Sequence, residues 1–126
     1  MSRHVETGLP TPPQPFSWAM QQGGFLFTTH GPIDPTGKIL QEGIEAQTRL
    51  TLDNLGRALA AGGCTFADVL QVTIYLLDVA DMAKVDAVYR DYFKPPYPVR
   101  ASLIVAGLVA PGMRIELNAV AAKSST

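Results

Sequence analysis

Two residues near the C-terminal end are of types suited to chemistry on a small carboxylate. Arg100 stands at the mouth of the apolar run from Ala101 to Ala106, just after the loop Lys94-Pro95-Pro96-Tyr97-Pro98. Its guanidinium offers a planar fork of donors that matches a carboxylate. Glu116 lies in an alternating stretch in which Ile115, Leu117 and Ala119 point one way and Arg114, Glu116 and Asn118 the other. A carboxylate held there could orient or activate a water. The segment from Pro98 to Ala121 reads as two strands joined by a Gly/Pro-rich connection, which predicts that the pair sits on neighbouring strands.

The elements that must position this pair can be read in order. Residues 1–15 hold Pro10, Pro12, Pro13 and Pro15, so the segment is expected to be an extended arm, with His4 disordered within it. Phe16 to Met20 reads as a short strand, Gln21-Gln22-Gly23-Gly24 as a turn, and Phe25 to Thr29 as a second strand. Asp34-Pro35-Thr36-Gly37 has the preferences of a type I turn. From Gln41 the pattern becomes helical, with Ile44, Thr48, Leu52, Leu55 and Leu59 on one face and Gly62-Gly63 as the stop. Asp68 to Leu77 reads as a central strand. Asp78 or Asp81 then caps a second helix in which Met82, Val85, Tyr89 and Tyr92 share a face, terminated by Pro95-Pro96. The order β-β-α-β-α-β-β predicts an α+β fold, a mixed sheet with both helices packed on one face and the other face still to be buried. The single domain is placed at residues 16–122, with 123–126 a polar tail.

Composition narrows the function. Apolar residues make up 47% and charged residues 17% of the 126-residue chain. So small a charged share leaves apolar surface to be covered by other subunits. Ten basic and eleven acidic residues, without a run of either sign, lack the footprint of a nucleic-acid binder. The single cysteine, Cys64, has no basic neighbour to activate it and is read as structural. Two histidines and one cysteine supply no metal-ligand spacing. No apolar run is long enough to span a membrane, and the N-terminus lacks an apolar signal core, so a cytoplasmic location is expected.

With the elements placed, the chain resembles the reactive intermediate/imine deaminase family (Rid, YjgF-like, endoribonuclease L-PSP). The resemblance runs from about Phe16 to Ala122. It is carried by the stretch from Thr29 to Gly37 (THGPIDPTG), by Gln47 to Leu55, by Val69 to Tyr75 with Asp78, by Val85 to Tyr89 with Tyr92-Phe93, and by Pro98 to Ser102 followed by Ile115-Glu116-Leu117. It implies a chorismate-mutase-like fold and a homotrimer with sheets facing inward around a barrel and sites in the clefts between subunits. It also implies hydrolysis of imines and enamines such as 2-aminoacrylate to 2-keto acids and ammonia, without metal or cofactor. In such a site Arg100 binds the substrate carboxylate and Glu116 orients the attacking water. Phe16, His30, Gly31, Ser102 and Asp86 complete the substrate contacts.

The match has departures. Phe16 stands where the family's active deaminases usually carry a tyrosine, His30 where they carry a serine, Asp86 for a frequent asparagine and Ser102 for a frequent cysteine. Phe16 keeps the ring without the hydroxyl, and His30 can donate, accept or titrate. Other readings stay open for single residues. Glu116 could pair with Arg114 of a neighbouring chain, and Asp86 could be a solvated helix residue. For the whole chain, the alternatives are a non-catalytic protein that binds or senses a 2-keto acid in the same cleft, and an endoribonuclease, against which the balanced charge argues.

Overall fold

In the computed structural model, which describes residues 3–124, the chain forms a five-stranded sheet with two helices. The elements are β1 (Ala19–Gln22), β2 (Phe25–His30), α1 (Ile44–Ala61), β3 (Val69–Leu76), α2 (Met82–Tyr92), β4 (Val99–Ile104) and β5 (Ile115–Ala122). The sheet order is β1-β2-β5-β3-β4, with β3 and β4 parallel and the other pairs antiparallel. The mixed sheet with two crossover helices is the architecture expected from the α+β reading.

Periodicity places both helices. The predicted stripe Ile44, Thr48, Leu52, Leu55 and Leu59 is buried along α1, which ends at Gly62, where the cap N–H reaches back to Ala58 and Leu59. On α2, Val85, Val88 and Tyr89 are buried, while Met82 and Tyr92 pack against the core from its margin. Asp81 occupies the N-cap position of α2 without a side-chain cap bond, and the capping carboxylate is that of Asp78, which accepts the Ala80 N–H at 2.9 Å in the 3-10 turn Val79–Asp81 that leads into α2. Asp81 instead takes two hydrogen bonds from Arg114 Nη2, at 2.8 and 2.9 Å. The helices cover the sheet face built from Leu26, Val72, Ile74, Leu76, Ile115, Leu117, Ala119 and Ala121.

Three local expectations are corrected. The first strand begins at Ala19 rather than Phe16: Pro15 has no N–H to offer a ladder, and the chain turns as Phe16 N–H bonds to Gln14 C=O. Gln21 and Gln22 belong to that strand, paired with Leu26 and Phe25. The turn is Gly23-Gly24 alone, both at positive φ (59° and 82°), as a two-residue hairpin requires. His4 is not disordered, since it bridges to Met20 while Val5 N–H bonds to Ala19 C=O and the Val5 side chain is buried. The predicted turn at Asp34 is present, with Gly37 N–H on Asp34 C=O and the Asp34 carboxylate taking the Thr36 and Lys38 N–H groups.

The larger correction is topological. β5 inserts between β2 and β3, so β3 separates β4 from β5 and the strands of Arg100 and Glu116 are not neighbours. Opposite the helices, the sheet exposes Met20, Phe25, Phe27, Val99 and Leu103. This is the uncovered face that the composition anticipated.

Candidate active site

Strand register decides which way each candidate residue points. Arg100 lies beside Val72, a core residue, and so turns toward the helices. Its Nε donates to Ser102 Oγ at 2.9 Å, its guanidinium lies 4.7 Å over the Tyr89 ring, and Nη2 reaches Met82 Sδ. Nη2 is also 2.7 Å from Asp86 Oδ1, yet no N–H points at that oxygen with hydrogen-bond geometry. The contact is therefore Coulombic more than directional. Arg100, Asp86 and Tyr89 line a cleft of about 220 Å³ with Arg90, Tyr97 and Pro98. Burial pushes the Tyr89 hydroxyl up to about 12, partly offset by Arg100, and that hydroxyl has no hydrogen-bond partner among the described residues.

Glu116 lies beside Tyr75 on the open side of the sheet. It lines a different cleft, of about 450 Å³, with Phe16, Trp18, His30 and Gly31. Its carboxylate makes no hydrogen bond or ion pair among the described residues, and partial burial raises its pKa above the ordinary value near 4.5. A group so placed is a stronger base than a solvated carboxylate. Arg114, the partner that a bland reading would give it, is held by Asp81 of the same chain.

His30 is fixed in one state by its neighbours. Thr28 donates its hydroxyl proton to the Trp18 carbonyl at 2.9 Å, so the same oxygen can only accept from His30, which places the imidazole proton on Nε2. The ring is buried, stacks on Trp18 at 5.9 Å between centroids, and is lowered by desolvation to about 3. His30 thus stays neutral near pH 7, with Nδ1 unpaired among the described residues. Of the three roles open to it from the sequence, titration near neutrality is removed. Among the described residues, Glu116 is then the one charged side chain lining this cleft.

The structure therefore sorts the seven predicted residues into two sets. Arg100, Ser102 and Asp86 gather at the α2 side of β4, while Phe16, His30, Gly31 and Glu116 gather at the end of β2 and β5. Within one chain the two sets do not share a cavity. Among the described residues, no group of three or more His, Cys, Asp or Glu side chains is placed to hold a metal ion, and no helix is long and apolar enough to cross a membrane.

Residues 7–123 match the family described as Endoribonuclease L-PSP. A Yersinia pestis protein of the conserved Rid family superposes with a TM-score of 0.89 at 29% identity, covering 97% of this chain and 99% of that one. The chain belongs to the Rid family. A RutC family protein of Pyrococcus horikoshii is 41% identical over 116 residues, 90% of this chain and 91% of that protein. The human 2-iminobutanoate/2-iminopropanoate deaminase is 39% identical over 90 residues, 71% of this chain and 65% of the human protein.

In this Rid chain, sequence reasoning passed over Trp18 and Asn54. Trp18 carries the wall of the Glu116 cleft: it stacks on His30, meets Phe16 edge-on at 4.9 Å, and donates Nε1–H to the Pro10 carbonyl at 2.7 Å. Being the single tryptophan and two residues from Phe16, it offered a signal. Asn54 is a buried amide on α1 that donates to the carbonyls of Gly31 and Ile33, at 3.1 and 2.9 Å, and so pins the loop after His30. A polar residue inside an apolar helical stripe is the hint that could have found it.

Proposed function

We propose that this chain is a cofactor-independent deaminase of 2-imino acids, working as a homotrimer in which Arg100 of one copy faces Glu116 of another. The observation that carries the reading is the division of one chain into two complementary half-clefts. One is donor-rich around Arg100, and the other is apolar with Glu116 as its charged group. A 2-imino acid has the matching ends, a carboxylate for the arginine and an electrophilic C=N carbon for a water held by the glutamate. The exposed apolar sheet face supports assembly. The deaminase relatives support the chemistry.

The steps follow from the groups present. Arg100 fixes the carboxylate and so orients the imine carbon. Glu116 takes a proton from water as the oxygen–carbon bond forms and passes it to the imine nitrogen, giving the neutral carbinolamine. On collapse Glu116 relays the hydroxyl proton to nitrogen: C=O forms, the C–N bond breaks with its electron pair on nitrogen, and ammonia leaves with the 2-keto acid. Imines hydrolyse unaided, so positioning and a modest electrostatic contribution suffice. The buried, neutral state of His30 speaks against a histidine-driven cleavage of RNA.

The test is a semicarbazide-competition assay in which an amino-acid oxidase generates 2-imino acids from several L-amino acids. Wild type should divert them to keto acid and ammonia, whereas Arg100→Ala and Glu116→Ala, still folded and assembled, should not. No diversion of any imine by well-folded wild type would reject the reading.

A further inference from the structure

The Arg100 half-cleft contains its own carboxylate. Asp86 Oδ1 sits 2.7 Å from Arg100 Nη2, both side chains are only partly exposed (32% and 21%), and both line the same 220 Å³ cleft. Asp86 projects from α2 and Arg100 from β4, so the pairing is made by tertiary packing rather than by adjacency in sequence. Three observations define what Asp86 does there. Among the described residues Oδ1 accepts no aligned hydrogen bond, so it does not clamp the fork in a fixed orientation. The guanidinium is already located by Ser102 Oγ on Nε and by the Tyr89 ring beneath it. Nη1 makes no hydrogen bond among the described residues and is the edge left for a ligand.

We propose that Asp86 is an internal counter-ion that opposes ligand carboxylates at Arg100 and holds the affinity for 2-keto and 2-imino acids down. The idea rests on reading Arg100 as the carboxylate anchor. A ligand carboxylate arriving at Nη1 comes close to a second carboxylate, and two like charges within a few ångströms in a half-buried cleft repel appreciably. Arg90 and Arg100 against Asp86 leave the cleft one net positive charge, and an asparagine at 86 would leave two. An enzyme that must release a carboxylate product at every turnover gains from such weakening, because tight ground-state binding does not speed the chemical step.

The experiment is calorimetric titration of the full chain with 2-oxobutanoate. Asp86→Asn keeps the shape of the side chain and removes its charge, and it should bind roughly tenfold tighter, with a steeper loss of affinity as salt is added. Asp86→Glu retains the charge and should stay within about twofold of wild type. In the imine assay the Asn variant should show a lower KM. Unchanged or weaker binding by Asp86→Asn would overturn the proposal, since a residue that orients Arg100 loses affinity when altered. Arg100→Ala separates the two layers. If it abolishes binding while Asp86→Asn changes nothing, the counter-ion idea falls and the anchor stands. If it binds as wild type does, or if neither wild type nor Asp86→Asn binds at all, both fall.

Discussion

Thr28 and His30 are joined by a hydrogen bond of fixed direction: the Thr28 hydroxyl donates to the Trp18 carbonyl, so its oxygen accepts from His30 Nε2–H. That hydrogen bond sets Nε2 as the protonated nitrogen of the ring, inside the wall of the Glu116 cleft, and burial keeps the ring neutral. Its properties follow from burial rather than from any charged neighbour.

A consequence is a defined acid sensitivity. The folded-state pKa of His30 is depressed to about 3 from an ordinary 6.5, so between these values the unfolded chain holds a proton that the folded chain refuses. Stability must fall as pH drops through that window, by up to about 1.4 kcal/mol per pH unit for this one group, and must be indifferent to His30 above it. Denaturant titrations from pH 7 to pH 4 should show a shallower acid loss for His30→Gln than for wild type. Equal slopes would mean that the native imidazole is protonated.

Glu116 shifts in the opposite direction. Its raised pKa means that the folded state binds the proton more readily, so it contributes stability at low pH that is lost as pH rises through the raised value. Glu116→Gln is expected to keep or slightly raise stability at pH 7 while lowering imine turnover by about a hundredfold or more. In wild type, the acid limb of kcat/KM should lie above the ordinary carboxylate value. A destabilised, equally active variant would make Glu116 structural.

Tyr89 separates packing from hydrogen bonding. Its ring stacks on Phe93 at 4.4 Å and carries Arg100 on its face, but its hydroxyl is buried without a partner among the described residues. Removing an unsatisfied group costs nothing in hydrogen bonds, so Tyr89→Phe should raise thermal stability by up to about 1 kcal/mol. Destabilisation of that size would reveal a partner for the hydroxyl in the assembled protein.

Asp81 and Arg114 tie α2 to the start of β5. With Asp81 only 7% exposed and both of its oxygens bonded, Asp81→Asn should cost about 2 kcal/mol. Salt should change that loss little, because the pair is partly shielded from solvent. Chemical denaturation at low and high ionic strength reads both quantities.

Much of this was legible in local pattern. The 3.6-residue stripe from Ile44 to Leu59, the alternation in β5, the Gly62 stop and the Asp34 turn are each set by side chains within a few residues of one another. The errors came where a local cue had a non-local competitor. Asp81 looked like a cap because it precedes a helix, but Arg114, thirty-three positions away, takes its carboxylate. The Pro-rich arm looked free, but β1 presents an edge on which residues around His4 pair.

The sequence by itself determined the element types, the buried faces of both helices and the residues able to bind a carboxylate or activate water, because periodicity and side-chain chemistry are local properties. Only the tertiary structure decided that β5 lies between β2 and β3, that Arg100 and Glu116 face different clefts, that Asp86 stands against Arg100, and that His30 is neutral. Strand neighbours are chosen by pairing between distant segments, and desolvation depends on everything packed around a group. Neither is written in any single stretch of the chain.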